Sequence, residues 1–301
     1  MKNNRHCSLH EYSRQNRQRR DFLALLKQSD IVRWRISTPA GLASQRLAFL
    51  GGHPRSGTTL LQQILDSHPA ILAFDEPDAF GPAILNELAP RGIQSPPTPT
   101  SLGRIGNHRV KELRERYLKT LLRQLQPPTD ASVLLDKDPS ATASLHFWLR
   151  VFPEMKVLIA LRDPRDVIIS CFFQNQALTS SNVNFLSLES AARHYADMMD
   201  VWLRLRDLGG FDFLESRYED VVGNLEAEGL RVMQFLGLEW LPQQAQFHQR
   251  ASEKILYAPT YHEVTKPVHS KVVGRWQNYA EALAPIQSKL ARYCEAFGYP
   301  P

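Results

Sequence analysis

Apolar positions along the chain come in short runs that end in glycine or charge, with helical spacings between them. Leu47 to Gly52 reads LAFLGG, and it is followed by Pro54-Arg55-Ser56-Gly57-Thr58-Thr59 and then by Leu60, Leu61, Ile64 and Leu65. That order predicts strand, tight loop and helix. Val133 to Leu135 and Val157 to Leu161 are two further apolar runs, separated by a helical pattern through Leu145, Trp148, Leu149 and Val151. The first run is closed by Asp136-Lys137-Asp138 and the second by Arg162-Asp163. Later come a helix over Leu188 to Leu208, a strand over Phe211 to Ser216, a helix to Leu236 and a last helix near Glu281 to Phe297. A Pro-, Ser- and Thr-rich loop from Pro90 to Ser101 precedes a charged helix from about Arg109 to Leu125, and a second loop passes through Pro259 and Pro267. Strands alternating with helices imply an α/β fold with a parallel sheet flanked by helices. In such sheets the ligand crevice lies beyond the carboxyl ends of the strands, where the charged residues would stand. No internal repeat or linker divides the chain, so residues 39–301 are expected to form a single domain.

Charge changes the picture only at one end. Residues 1–35 hold nine Lys and Arg against three acidic residues, a net of +6, and the other 27 basic residues face 28 acidic ones, a net of −1. This excludes a general nucleic-acid signature for the body. Residues 1–38 read as a basic polar leader, a solvated tail or lid with one short amphipathic helix around Asp21 to Gln28. The 43% of apolar residues suffices for a buried core. Cys7, Cys171 and Cys294 are scattered without metal-ligand or disulfide spacing, which fits a reducing, cytoplasmic setting and no metal site. No run approaches transmembrane length, so neither a membrane nor a nucleic acid is expected as partner, and the oligomeric state stays open.

The stretch from Gly52 to Thr59, GHPRSGTT, has the GxxxxG spacing of a phosphate-binding loop with a hydroxyl residue last. Backbone N–H groups of such a turn, with the dipole of the helix behind it, converge on one anion. Nucleoside triphosphate enzymes place a lysine before that hydroxyl residue, and here the position holds Thr58. Arg55 supplies a fixed cation from inside the loop instead. Arg162 at a strand end and Ser170 about two turns into the next helix could together hold a second phosphate. The plainer reading pairs Arg162 with Asp163 or Asp166 and leaves Ser170 to solvent.

With this string in its phosphate loop, the sequence resembles the PAPS-dependent sulfotransferases, which use 3′-phosphoadenosine 5′-phosphosulfate as donor. The stretch LLDKDPSATASLHFWLRVFPEMKVLIALRDPRDVIISCFF is similar to the middle of tyrosylprotein sulfotransferases and of bacterial sulfotransferases often fused to tetratricopeptide repeats. The likeness runs over about residues 47–298. It implies a P-loop-like fold, PAPS as co-substrate, PAP (adenosine 3′,5′-bisphosphate) as product, no metal, and transfer of a sulfuryl group to a hydroxyl acceptor, whether a peptide tyrosine, a sugar or a small alcohol. It implies Arg55, Ser56, Gly57, Thr58 and Thr59 at the 5′-phosphosulfate, and Arg162 with Ser170 at the 3′-phosphate. Tyr218 would lie on the adenine or phosphate side, and the loop HSKVVGRW would bring Lys271 and Arg275 to the phosphates. Glu76 would be the base, with Asp75 and Asp78 as competitors, and Lys137 the cation at the leaving oxygen, with Arg55 assisting.

Two positions depart from the tyrosylprotein enzymes. Gln174 and Asp78 stand where those enzymes carry arginines, and an acidic Asp78 fits poorly with acidic peptide acceptors. Two other readings remain at this stage. One is a P-loop kinase or NTPase, with Ser132 to Asp136 as its metal-binding strand. The other is a non-catalytic nucleotide-binding scaffold, against which Glu76 and Lys137 count. His53 and His68 are further candidate bases without a role in the family pattern.

Overall fold

Five parallel strands form the centre of the computed structural model, which describes residues 9–37, 45–89, 96–123, 130–174, 182–252 and 265–300. They are β1 (Arg46–Gly52), β2 (Ile71–Asp75), β3 (Val133–Lys137), β4 (Lys156–Leu161) and β5 (Phe213–Arg217), in the order β2-β3-β1-β4-β5. The sheet is parallel throughout, with Leu50 opposite Lys137 and Gly52 opposite Ala160.

Side chains alternate between two cores, as a period of two requires. Leu47, Phe49, Leu134, Val157, Ile159 and Leu161 enter one core, while Ala48, Leu50, Val133, Leu135, Leu158 and Ala160 enter the other. The first is covered by helices Leu145–Val151, Leu188–Leu208 and Ala280–Ala296, which contribute Trp148, Trp202 and Tyr293. Helix α3 (Thr58–Asp66) and the helix Leu225–Leu236 cover the second, through Leu61, Leu65, Val232 and Met233. Both faces are therefore dry, which explains why β1, β3 and β4 are apolar runs without polar alternation.

Several elements differ from the sequence reading. β2 was not expected, because Leu72, Ala73 and Phe74 are only half-buried at the sheet edge and their pattern is weak. The helix expected to run to Leu236 is two, Tyr218–Gly223 and Leu225–Leu236, divided at Asn224, whose side chain accepts from the N–H of Ala227. Within the Pro-rich loop, Pro99–Gly103 is a short helix capped by Thr98. Cys7, residues 90–95, residues 124 and 125 and Pro259 lie outside the described residues.

The largest correction concerns the leader. Residues 9–37 form α1 (Leu9–Leu25) and α2 (Gln28–Ser37), not a solvated tail. Phe22, Leu23, Leu26, Ile31 and Trp34 are buried in the main core. Arg204 donates to the carbonyls of Leu23 and Leu26 at 3.2 and 3.0 Å, and Arg35 forms two bonds to Asp212. Apolar residues spaced among charges conceal this packing, since the charged positions simply face outward.

Candidate active site

The carboxyl ends of the five strands carry the expected residues to one edge. β1 ends at Gly52, with φ +128°, and a Cβ there would lie 2.3 Å from the Ala160 carbonyl oxygen on the neighbouring strand. Glycine is the residue that permits this approach. The loop turns through Arg55, itself left-handed at φ 75°, and reaches Gly57, the N-cap of α3. A Cβ on Gly57 would meet the Tyr218 ring at 2.6 Å, so tyrosine and loop are fitted to each other. Among the described residues no side chain caps α3, which leaves its first N–H groups for a ligand.

Around this loop lies a cleft of about 540 Å³. Arg55, Gly57, Thr58 and Thr59 line it from the loop, Arg162 and Ser170 from the β4 side. Tyr218, Lys271 and Arg275 complete it. Ser56 does not line the cleft. It is buried, and its N–H donates to the His53 carbonyl at 3.1 Å.

Arg162 is buried at the end of β4, where it donates to the carbonyls of Arg55 (3.4 Å) and Val272 (2.7 Å) and stacks 4.9 Å from the Tyr218 ring. Its Nε has no hydrogen-bond partner among the described residues. Asp166 lies 3.7 Å from Arg162, so the pairing that the plainer reading expected is present as a long contact. The Asp163 carboxylate instead binds Arg165 at 2.8 Å. Arg55 Nε donates to Ser170 Oγ at 3.0 Å, which joins the loop cation to the hydroxyl expected at the other end of the nucleotide.

Asp166 was missed as a functional residue. It accepts the N–H groups of Gly274 (2.8 Å) and Trp276 (2.7 Å) and so fastens the loop that carries Lys271 and Arg275 over the cleft. Burial raises its pKa against the opposing charge of Arg162 and those two bonds. The available signal was its place one turn after Arg162, at i+4.

Glu76 and Lys137 stand on the other side of β1, at the ends of β2 and β3. Lys137 is 1% exposed and pairs with Glu76 at 2.9 Å and with Asp75. Burial opposes its charge, but the Glu76 and Asp75 carboxylates outweigh this and hold its pKa above the usual lysine value. Glu76 is left-handed at φ 49° with its N–H bonded to the Lys137 carbonyl, and its side chain is 58% exposed. A strained turn thus lifts this carboxylate off the strand. β3 adjoins β1, so the Lys137 backbone is about 5 Å from the strand that feeds the phosphate loop.

Other candidates are placed elsewhere. Asp136 is buried, its carboxylate accepts from Tyr117 Oη at 2.6 Å, and burial lifts its pKa to about 8. It faces the core, which disfavours a metal-binding strand. His53 is fully buried, with its pKa far below normal. Its Nδ1 is 2.8 Å from the Pro54 carbonyl and its Nε2 is 2.9 Å from His194. His68 Nδ1 accepts from the Ala70 N–H at 3.0 Å. Neither histidine lines the cleft. Gln174 follows the helix Pro164–Phe172, outside the cleft lining. No helix among the described residues is long and apolar enough to cross a membrane.

Known proteins are similar to this chain in sequence and in fold. The family model described as "Sulfotransferase family" matches residues 48–242. Protein-tyrosine sulfotransferase A of Caenorhabditis elegans is 25% identical over 84% of this chain and 67% of its own length. Protein-tyrosine sulfotransferase 2 of Gallus gallus is 23% identical over 85% of this chain and 70% of its own. A protein of Aquifex aeolicus is 25% identical over 82% of this chain but only 32% of its own length. Among solved structures, the sulfotransferase domain of the Synechococcus PCC 7002 olefin synthase superposes with a TM-score of 0.57 at 18% identity, covering 88% of this chain and 98% of that domain.

Proposed function

We propose, from the premise that the chain belongs to the sulfotransferase family, that it transfers a sulfuryl group from PAPS to a hydroxyl acceptor and releases PAP. The observation that carries this reading is the Lys137–Glu76 pair at 2.9 Å beside the phosphate loop. The strand of the cation adjoins the strand that feeds the anion cradle, and the strand of the base lies one further out.

The acceptor oxygen attacks sulfur as the bond from sulfur to the bridging phosphate oxygen breaks, with the two oxygens in line. Glu76 accepts the acceptor's proton. Lys137, held in a buried position, meets the charge that grows on the bridging oxygen, where a preorganised cation acts most strongly. Arg55 and the N–H groups of Gly57, Thr58 and Thr59 hold the 5′-phosphosulfate. Arg162, whose Nε is without a partner among the described residues, and Ser170 hold the 3′-phosphate, and Lys271 and Arg275 close over both from the loop tied to Asp166. Tyr218 packs against the loop and Arg162 and so shapes the nucleotide side.

Calorimetry with PAP, and with ATP plus Mg²⁺, tests the donor assignment. PAP should bind more tightly, and the reverse order would return the chain to the kinase or NTPase reading. Sulfuryl transfer is read by mass spectrometry of cell extracts incubated with PAPS, where products gain one sulfuryl group. A cytoplasmic location agrees with buried, unpaired Cys171 and Cys294 and is checked by cell fractionation.

A further inference from the structure

A second cavity, of about 590 Å³, is walled by α1 and by segments that follow Glu76 and Lys137 in the chain. Arg14, Gln15, Gln18, Arg19 and Phe22 of α1 line it, and their spacing of 1, 3, 1 and 3 is one face of a helix. Asp78, two residues past Glu76, and Ser144, in the turn Pro139–Ser144 that follows Lys137, also line it. The segments that continue from both catalytic residues thus bound this space.

We propose that this cavity takes the acceptor, and that the acceptor carries an anionic group on an apolar body, with Arg19 and Arg14 as the anion site. The inference rests on the sulfuryl-transfer reading above and adds the acceptor's chemical class. Arg19 is half-buried, and desolvation lowers its pKa. Its guanidinium donates to Asn16 Oδ1 at 2.6 Å, while the neighbouring Asp197 carboxylate is taken by Asn16 (2.6 Å) and Tyr12 (3.2 Å). Asp197 acts on Arg19 at a distance, and among the described residues no carboxylate is hydrogen-bonded to its guanidinium, so this desolvated cation gains from an anionic ligand. On the same cavity, His146 is buried and its Nδ1 has no hydrogen-bond partner among the described residues. Its ring packs against Phe22 and Phe147, with centroids 4.6 and 4.2 Å away, and these rings offer an apolar surface to the acceptor's body. Two arginines against Asp78 leave the lining net positive, which selects against a cationic acceptor. The α1 wall precedes residue 48, where the family match begins.

The test uses two fluorescent hydroxyarenes of equal shape, 6-hydroxy-2-naphthoate and 6-hydroxy-2-naphthamide, titrated into the full chain loaded with PAP. The carboxylate should bind at least about ten-fold more tightly, as a charge-assisted bond to a desolvated arginine implies. Arg19→Gln should bring the two probes within about two-fold of each other while PAP affinity is unchanged, and Arg19→Lys should retain part of the preference. Should Arg19→Gln fail to fold, Arg14→Gln, at an exposed position, must weaken the carboxylate probe at least about three-fold and leave the amide probe alone. Equal affinities in the wild type, no binding of either probe, or a preference that survives these substitutions overturns the proposal. Failure of the wild type to bind PAP would overturn the reaction itself, so the two failures are read on different ligands.

Discussion

Over β1, β4 and β5 the edge of the sheet is a cleft built from loops that follow strand ends, and backbone groups fasten those loops. Arg162 holds the carbonyls of Arg55 and Val272, and Asp166 holds the N–H groups of Gly274 and Trp276. Over β2 and β3 the edge carries a cluster of side chains, Lys137 with Asp75 and Glu76, and beyond it a cavity walled by a helix outside the family match. Backbone-held geometry tolerates change in surrounding side chains, whereas a cavity made of side chains changes with each substitution. On the proposed reading the donor side is therefore the part a family can share, and the acceptor side the part on which members can differ.

The sharpest way to break that division is Glu76→Gln. It should lower the single-turnover transfer rate by about 100-fold to 10,000-fold, the usual contribution of a general base, and leave PAP affinity unchanged. Asp75→Asn and Asp78→Asn, measured alongside, should retain most of the rate. A collapse in either of those with a near-normal Glu76→Gln would move the base.

Lys137→Ala should cost about 100-fold to 1,000-fold in the same assay, by analogy with loss of one preorganised donor. The loss should shrink with a donor whose leaving group is more acidic, since less charge then needs stabilising. A loss independent of the leaving group would make Lys137 a support for Glu76 alone.

On the cleft side the expected effects are smaller and fall on binding. Arg162→Ala should weaken PAP by about 1.5 to 3 kcal/mol, the range for hydrogen bonds to charged groups. Adenosine 5′-phosphosulfate should lose less, though some, because Arg162 also steadies the Arg55 carbonyl. Equal losses for both nucleotides would make Arg162 a structural residue.

A last effect is read on stability, not on rate or binding, and separates Asp136 from its neighbour Lys137. Burial raises the Asp136 pKa from 3.8 to about 8, against the opposing Tyr117 hydrogen bond. Below about pH 3.8 both folded and unfolded chains hold this proton. As pH rises toward about 8 the unfolded chain releases it first, so this group's contribution to stability is lost across that window. Asp136→Asn should flatten that decline in a series of thermal melts. An unchanged pH profile would show that Asp136 is ionised in the folded protein.

Local pattern was enough for the parts that depend on neighbours in the chain. The runs of β1, β3 and β4 are apolar because both of their faces are covered, and the loop from Gly52 to Thr59 needs glycine where backbone approaches backbone. The position of the charged residues that end those strands, at one edge of the sheet, was legible because a parallel sheet presents its carboxyl ends together. Tertiary contacts decided the rest. β2 is a strand because β3 supplies its hydrogen bonds, while its own half-buried residues carry a weak pattern. Asp166 became a loop anchor only when residues more than a hundred positions away folded back onto it. The α1 and α2 segments read as a solvated leader because their charges dominate the local average. They are core because Phe22, Ile31 and Trp34 find apolar partners distant in sequence, and burial depends on what a residue meets after folding.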